Sequence, residues 1–137
     1  MKTWLADAGP LVAPLVRSDS QHEWSVEQTK HAPTTALTCD AVISEALFLL
    51  KRAKHNTDDL FALVETGFLR SSFDFHDEYR RIRELMRRYK DRPMSFADAC
   101  LVRMAELHEG ACIWTLDRDF QIYRKHGRQS LAVIAPW

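Results

Sequence analysis

The sequence lacks a long apolar segment. No uninterrupted apolar run is longer than that of residues 46–50, far short of the roughly 20 residues that a membrane-spanning helix needs. The first residues also lack the pattern of a secretory signal, because Asp7 interrupts the apolar residues that follow Lys2. We therefore expect one domain covering residues 1–137, located in the cytoplasm and without a membrane partner.

Cysteine is scarce, and no pair of cysteines has a recognisable spacing. Cys39, Cys100 and Cys112 are odd in number and far apart, so the spacing of a zinc site is missing. All three lie among apolar residues. They are predicted to be small core residues in a reducing compartment.

An excess of charge is also missing. Nineteen Lys and Arg balance nineteen Asp and Glu, whereas proteins that bind nucleic acids are usually basic overall. Any contact with nucleic acid must therefore depend on a local basic surface. Net charge neither supports nor excludes such a function.

The pattern of apolar residues predicts strands that alternate with helices. The predicted strands cover residues 2–6, 34–38, 68–73, 111–116 and 131–134. The predicted helices cover residues 11–17, 22–30, 41–54, 58–67, 75–90, 95–109 and 118–125, with Asp40 as the N-cap of the third and Ser95 as that of the sixth. This alternation is typical of an α/β fold whose parallel sheet is covered by helices on both faces.

Five acidic residues lie inside or at the end of apolar stretches: Asp7, Glu45, Asp98, Asp117 and Asp119. A buried carboxylate without a partner is costly, so a fold that buries one supplies a cation or hydrogen bonds. Asp7 and Asp117 follow predicted strands, and the carboxyl ends of parallel strands form the usual ligand crevice of such sheets. The set predicts that the fold gathers these acids around a divalent cation.

Each acid is also compatible with a structural role. Asp7 and Asp119 are suited to capping the helices that follow them. Glu45 has apolar neighbours one turn away on its helix and is compatible with a buried salt bridge. Asp98 follows Ser95 by three residues, which is the pattern of a capping box. Taken together, the four separate segments favour a common site.

Four segments carry a resemblance to a known family. They are residues 5–11 (LADAGPL), 42–46 (VISEA), 96–99 (FADA) and 115–120 (TLDRDF). In this order, the set resembles PIN-domain proteins, and among them the VapC toxins of toxin–antitoxin pairs. The resemblance covers essentially the whole chain. It implies a three-layer α/β/α sandwich with a central parallel sheet and the activity of a metal-dependent endoribonuclease.

The resemblance also implies roles for particular residues. Asp7, Glu45, Asp98 and Asp117 occupy the catalytic, metal-binding positions of the family, with Asp119 and Thr115 as auxiliary residues. Oxygen ligands alone suit Mg²⁺ or Mn²⁺ rather than zinc. One or two such ions would activate a water molecule for attack on the phosphodiester phosphorus.

The residues that would hold RNA are less sharply indicated. The densest basic stretch lies between residues 80 and 92, and most of its side chains are compatible with a solvated helix face. The candidates for phosphate contacts are Arg17, Arg80, Arg83, Arg87 and Arg118. The resemblance further implies an antitoxin protein and a homodimer as partners.

Two other functions are compatible with parts of the pattern. A PIN-like module without nuclease activity would keep the fold for binding RNA or protein, although every expected acid is present. An acidic phosphoryl-transfer pocket would share the carboxylates at strand ends. It would also need a lysine after the late strand, where this chain has Asp117 and Asp119.

Overall fold

Five short parallel strands form the central sheet in a computed structural model of the protein, which describes residues 2–137. The strands of this sheet are β1 (Trp4–Ala6), β2 (Ala36–Thr38), β3 (Leu69–Ser71), β4 (Cys112–Trp114) and β7 (Ala132–Ile134). Their order is β3-β2-β1-β4-β7, and every neighbouring pair is parallel. All five correspond to predicted strands, and the predicted parallel sheet is confirmed.

Helices connect the strands and flank the sheet. They are α1 (Ala8–Val12), α2 (His22–Thr29), α3 (Asp40–Arg52), α4 (Asp58–Glu65), α5 (Phe75–Arg88) and α6 (Phe96–Leu107), followed by a 3₁₀ helix at Arg118–Gln121. The predicted α/β/α layering is confirmed. None of these helices, within residues 2–137, is long and apolar enough to cross a membrane.

Strand β1 lies at the centre of the sheet, between β2 and β4. Its three residues are all buried, and Leu5 is in register with Leu37 on one side and Ile113 on the other. Central parallel strands are covered on both faces and are therefore apolar throughout. The chain leaves β1 at Asp7, so the first acid of the sequence lies at the middle of the carboxyl edge of the sheet.

The first and third predicted helices differ from the structure in how they begin. Helix α1 starts at Ala8 rather than at residue 11, because the Asp7 side chain accepts a hydrogen bond from the Ala8 N–H and caps it there. Asp40, predicted as a cap, is instead the first residue of α3. Its carboxylate accepts a hydrogen bond from the Ser71 hydroxyl, so it links α3 to the end of β3.

The predicted helix over residues 118–125 is wrong beyond its first turn. The 3₁₀ helix ends at Gln121, and Arg124–Lys125 (β5) then pairs antiparallel with Gln129–Ser130 (β6). The turn between them places His126 and Gly127 at positive φ, 51° and 82°, and a positive φ is incompatible with a continuing helix. Local propensity did not reveal this hairpin.

An ion-pair network joins α5 to α6. Glu106, whose side chain is 1% exposed, accepts hydrogen bonds from Arg81 at 2.7 Å and 2.9 Å and from Arg103 at 3.2 Å. It also accepts one from the His126 N–H, which attaches the β5–β6 hairpin. Arg103 further contacts Glu78 at 3.2 Å. A buried carboxylate is tolerated here because it is fully paired.

The three cysteines lie where the sequence predicted them. Cys39, Cys100 and Cys112 are buried, and all are free thiols in the described chain. Cys39 and Cys100 belong to the hydrophobic core cluster, and Cys112 is a buried residue of β4.

Candidate active site

Four acids from four segments line one cavity at the carboxyl edge of the sheet. Its volume is about 260 Å³, and its lining consists of Asp7, Gly9, Glu45, Leu49, Asp98, Leu116 and Asp117. Gly9 allows the close approach of α1 to the loop after β4, since an added Cβ would lie 2.9 Å from Leu116 Cδ1. The structure therefore brings together the four acids that the sequence grouped as principal site residues.

Asp7 is one of the two buried acids of the cavity, with Asp98. Its Oδ1 accepts a hydrogen bond from the Ala8 N–H at 2.8 Å, and its Oδ2 accepts one from the Thr115 hydroxyl at 2.7 Å. Burial raises the pKa of Asp7 to about 7, with smaller contributions from the charges of Asp98 and Glu45, while both hydrogen bonds lower it. The Asp7 side chain therefore both caps α1 and lines the acidic cavity.

Thr115 connects two of the acids. It is fully buried after β4, where its hydroxyl donates to Asp7 and accepts a hydrogen bond from the Asp117 N–H at 2.9 Å. The single hydroxyl therefore orients the Asp7 carboxylate and also holds the backbone that presents Asp117. This contact gives a physical basis for the auxiliary position that the resemblance implied.

Asp98 also combines a cap with a place in the cavity. Ser95 and Asp98 form a reciprocal capping box at the start of α6, at 3.0 Å and 3.2 Å. The same Asp98 Oδ2 accepts a hydrogen bond from the Tyr123 hydroxyl at 3.1 Å. Burial and the charge of Asp117 raise the pKa of Asp98, whereas the hydrogen bonds from Ser95 and Tyr123 lower it.

Tyr123 is a site residue that the sequence did not indicate. It lies after the 3₁₀ helix, is fully buried, and packs edge-on against Phe120 and Tyr89. Burial, together with the charge of Asp98, raises the pKa of the Tyr123 hydroxyl, so it stays protonated as a hydrogen-bond donor. No local sequence signal marks it, because Asp98 lies 25 residues earlier in the chain.

Glu45 differs from the sequence prediction in its surroundings. The apolar neighbours of Glu45 predict a position that faces the core. In the structure its side chain is exposed at the mouth of the cavity, and Phe48 one turn later is 61% exposed. The alternative of a buried salt bridge is wrong, since Glu45 forms no ion pair with any described residue. Partial burial, then the charges of Asp98 and Asp117, raise its pKa.

Asp117 and Asp119 play different parts in the loop after β4. Asp117 is the N-cap of the 3₁₀ helix, where its Oδ1 accepts a hydrogen bond from the Asp119 N–H at 2.9 Å. The alternative that Asp119 caps this helix is therefore wrong. Asp119 does not line the acidic cavity. Burial and the charge of Asp117 raise its pKa, and Arg92 opposes this effect.

The donor set of the cavity fits a hard divalent cation. Its polar side chains are carboxylates, and three of them have raised pKa values because they are partly desolvated and repel one another. Within residues 2–137, no three His, Cys, Asp or Glu side chains are already close enough to hold one ion together. Mg²⁺ generally keeps several water ligands and uses only one or two protein carboxylates, so the cavity suits it.

The arginines proposed to contact RNA are spread over the surface. Arg80, Arg83 and Arg87 are exposed on α5, and Arg17 is exposed in the turns after α1. Arg118 is exposed beside the acidic cavity, with its guanidinium carbon 5.9 Å from the centre of the Trp137 ring. No hydrogen bond or salt bridge in the described structure occupies the guanidinium groups of Arg83 or Arg87.

Comparison with protein families and solved structures agrees with this architecture. A sequence model of the PIN domain matches residues 5–125, a range that includes every acid of the cavity. No curated protein sequence matches the chain significantly.

Several solved structures are similar to the chain, including the following two. The VapC20 toxin of Mycobacterium tuberculosis, described as cleaving the sarcin-ricin loop, superimposes with a TM-score of 0.78 at 20% identity. That match covers 88% of this chain and 94% of the toxin. PAE2754 of Pyrobaculum aerophilum gives a TM-score of 0.53 at 23% identity, covering 98% of this chain and 89% of that protein. At these identities, the likeness shows a shared fold.

Proposed function

Since the chain belongs to the PIN-domain family, we propose that it is a metal-dependent endoribonuclease that hydrolyses RNA phosphodiester bonds. Nucleases of this family generally use divalent metal ions. The observation that supports the proposal is the convergence of Asp7, Glu45, Asp98 and Asp117 on one cavity. Four acids brought together from four segments have no shared structural purpose, and their repulsion makes the cavity costly unless it binds a cation.

The side chains are suited to different tasks in the reaction. Asp7 is held in one orientation by Thr115 and the Ala8 N–H, which makes it a pre-organised ligand. Asp98 is held by Ser95 and Tyr123. Glu45 carries no hydrogen bond in the described structure and lies at the mouth of the cavity, where it can turn towards an ion or its water ligands.

A bound Mg²⁺ or Mn²⁺ would supply an acidified water and stabilise the charge that develops on the phosphate oxygens. Asp7, Glu45, Asp98 and Asp117 would hold this ion. The Asp117 N–H donates a hydrogen bond to the Thr115 hydroxyl, and the Asp117 side chain caps the 3₁₀ helix. These two contacts keep its carboxylate at the edge of the cavity. Asp119 is proposed to act outside this ligand set, through its proximity to Asp117.

The biological role that fits this activity best is that of the toxin of a type II toxin–antitoxin pair. The proposal draws on the motif order of the chain and on the fold that it shares with VapC20. It includes a cytoplasmic location, a separately encoded antitoxin and a homodimer. Induced expression should arrest bacterial growth, and Asp7→Asn should relieve the arrest. Sedimentation of the purified protein as a monomer would remove the homodimer from the proposal.

Cleavage assays test the enzymatic part directly. Purified protein should cut a pool of single-stranded RNA with Mg²⁺ or Mn²⁺ and lose this activity in EDTA. Asp7→Asn should reduce cleavage by at least about a hundredfold, because it removes a charge that contacts the ion. Asp58→Asn, an exposed acid at the start of α4, is the matched control and should cleave normally.

The rival function is that of a PIN-like module without nuclease activity, which binds RNA or protein. Titration calorimetry with Mn²⁺ separates the two. The enzyme should bind the ion, and Asp7→Asn should bind it more weakly. Absence of both ion binding and cleavage in the purified protein would favour the rival.

A further inference from the structure

An apolar groove with a basic rim runs along α5. Its volume is about 500 Å³, and we call it the α5 groove. It is lined by Phe75, Tyr79, Ile82, Arg83, Met86, Arg87, Lys90 and Phe96. Arg83 and Arg87 of this groove are among the candidates for phosphate contacts, whereas the function proposed above assigns no role to its aromatic residues.

Three aromatic rings of the groove are exposed. Phe75, Tyr79 and Phe96 are 43%, 40% and 42% exposed. The Phe75 ring centre lies 5.4 Å from that of Phe96, nearly perpendicular to it, and 6.3 Å from that of Tyr79. Large exposed apolar patches on a small protein generally mark binding surfaces. Here the rings form a row along which flat groups can stack.

The cations of the groove are free. Arg83, Arg87 and Lys90 form no salt bridge with any residue from 2 to 137. Arg81 on the same helix differs, because it is held by Glu106 and Glu84. The residues described as lining the groove include no acid. The surface therefore combines stacking rings with unpaired positive charge.

The groove adjoins the acidic cavity at the start of α6. Phe96 is the first residue of this helix and Asp98 the third, so the two sites lie on different sides of one helical turn. A second cavity of about 480 Å³ lies next to the groove. It shares Phe75 and Phe96 with the groove and includes Ala41, one turn before Glu45 on α3.

We propose that the α5 groove binds a single-stranded segment of the RNA substrate next to the phosphate that is cleaved. Unpaired bases stack on Phe75, Tyr79 and Phe96, while Arg83, Arg87 and Lys90 contact the flanking phosphates. This combination of aromatic platforms and a cationic track is how proteins hold single strands without reading base edges. The inference rests on the proposed nuclease function and adds to it a preference for unpaired RNA.

An acidic, amphipathic segment of a partner protein is the other occupant with matching chemistry. RNA is favoured because Phe96 of the groove lies two residues before Asp98 of the acidic cavity, and because the groove carries three cations and no acid. A duplex cannot use the rings, since its bases are stacked inside the helix. A comparison of binding to single-stranded RNA with binding to a duplex therefore separates base stacking from the simple attraction of phosphates.

Binding in EDTA, where cleavage does not proceed, tests the inference. The probe is a fluorescently labelled single-stranded RNA of mixed sequence, followed by anisotropy, with a blunt RNA duplex for comparison. Tyr79→Ala and Phe96→Ala should each weaken single-strand binding about tenfold and leave duplex binding nearly unchanged. Phe61→Ala, which removes an exposed ring on α4, is the matched control and should bind like the wild type.

The cations have a separate readout. Arg83→Gln with Arg87→Gln should weaken binding of single strand and duplex alike and reduce the salt dependence of the binding constant by about two phosphate contacts. Arg70→Gln, an exposed arginine on β3, is the control. Circular dichroism of each variant establishes that a loss of binding is not a loss of fold, since the substituted side chains are at the surface.

The outcomes distinguish this inference from the proposed function. Single-strand binding that depends on the groove, without cleavage under any divalent ion, would support the groove and overturn the nuclease. Normal cleavage and unchanged single-strand binding by the aromatic variants would overturn the groove and leave the nuclease. Groove variants that bind RNA normally but no longer bind an acidic amphipathic peptide would assign the surface to a protein partner instead.

Discussion

The Thr115 hydroxyl lies 2.7 Å from Asp7 Oδ2 and donates a hydrogen bond to it across 108 positions of sequence. Both residues are buried at the carboxyl edge of adjacent parallel strands, β1 and β4. The bond stabilises the charged form of Asp7 in a place where burial disfavours it. The orientation and the ionisation of Asp7 therefore both depend on Thr115.

Replacement of Thr115 by Val should impair the site more than the fold. The change keeps the shape and removes the hydrogen bond to Asp7 together with the acceptor of the Asp117 N–H, so the pKa of Asp7 should rise above its value of about 7. We expect a loss of about tenfold in cleavage rate near neutral pH, equivalent to about 1.4 kcal/mol. The acidic limb of the pH–rate profile should move to higher pH.

Thr38→Val is the matched control for this change. Thr38 is also a fully buried strand threonine, and its hydroxyl donates to the Ala6 carbonyl at 2.8 Å rather than to an acid. Thr38→Val and Thr115→Val should each reduce the free energy of unfolding by about 1–3 kcal/mol. Only Thr115→Val should move the pH–rate profile. Equal shifts of the profile in both variants would contradict the role given to Thr115.

Removal of the Asp7 charge should stabilise the metal-free protein at high pH. The pKa of Asp7 is about 7 in the folded protein against an ordinary value of 3.8, mainly because of burial. Between these values the folded state binds more protons than the unfolded chain, so the free energy of unfolding falls as pH rises. In EDTA, Asp7→Asn should gain at most about 4 kcal/mol near pH 8 and almost nothing near pH 4.

Glu45→Gln should also stabilise the metal-free protein, but by less than Asp7→Asn does. Its pKa is raised as well, but its side chain is exposed and solvent screens its repulsion from Asp98 and Asp117. We expect a rise in the melting temperature of the metal-free protein that is clearly below that of Asp7→Asn. A loss of stability in Glu45→Gln would show that Glu45 has a stabilising partner.

The two roles of Asp98 can be separated by two substitutions. Ser95→Ala removes the cap of α6 and should cost about 1 kcal/mol, yet Mg²⁺ should still raise the melting temperature. Asp98→Asn keeps a capping side chain but removes the charge. In that variant the stabilisation by Mg²⁺, about 2.7 kcal/mol at a hundredfold excess over Kd, should be largely lost. An unchanged response of Asp98→Asn to Mg²⁺ would exclude it as a ligand.

Glu106 should matter for stability and not for chemistry. Burial alone would raise its pKa, but hydrogen bonds from Arg81, the His126 N–H and Arg103, together with the charge of Arg81, lower it to about 2. Its contribution is therefore present above its ordinary pKa of 4.5 and is lost as pH falls towards 2. Glu106→Gln should cost about 3 kcal/mol near neutral pH, measured by urea unfolding.

Glu84→Gln is the control for this network. Glu84 pairs with the same Arg81 at 3.2 Å, but its side chain is 65% exposed. Its loss should cost less than about 0.5 kcal/mol. Cleavage per folded molecule should remain normal in both variants, because neither side chain lines the acidic cavity.

The parts of the fold that follow from local patterns were predictable. The apolar run of β1, the capping box of Ser95 and Asp98, and the amphipathic face of α5 depend on residues that are neighbours in the chain. The β5–β6 hairpin was missed because its pairs are only two residues long and its turn depends on the positive φ of His126. No apolar periodicity marks such a short ribbon.

The sequence predicted which acids lie at the site, but it did not predict the exposure and contacts of each one. The order of the acids indicated Asp7, Glu45, Asp98 and Asp117, and the structure places all four around one cavity. Asp119 shares the same loop and yet lies outside that lining, because the 3₁₀ helix that begins after Asp117 carries it away. Sequence spacing alone does not resolve such a difference of two residues.

The sequence by itself determined the alternation of strands and helices and the positions of the acids at element ends, because these depend on periodicity and caps within a few residues. Only the tertiary structure decided which side chains meet: Thr115 with Asp7, Tyr123 with Asp98, and Glu106 with Arg81. It also left Glu45 exposed and the rings of the α5 groove uncovered. Contacts of this kind depend on distances through space, which follow from the packing of the whole chain and not from its local pattern.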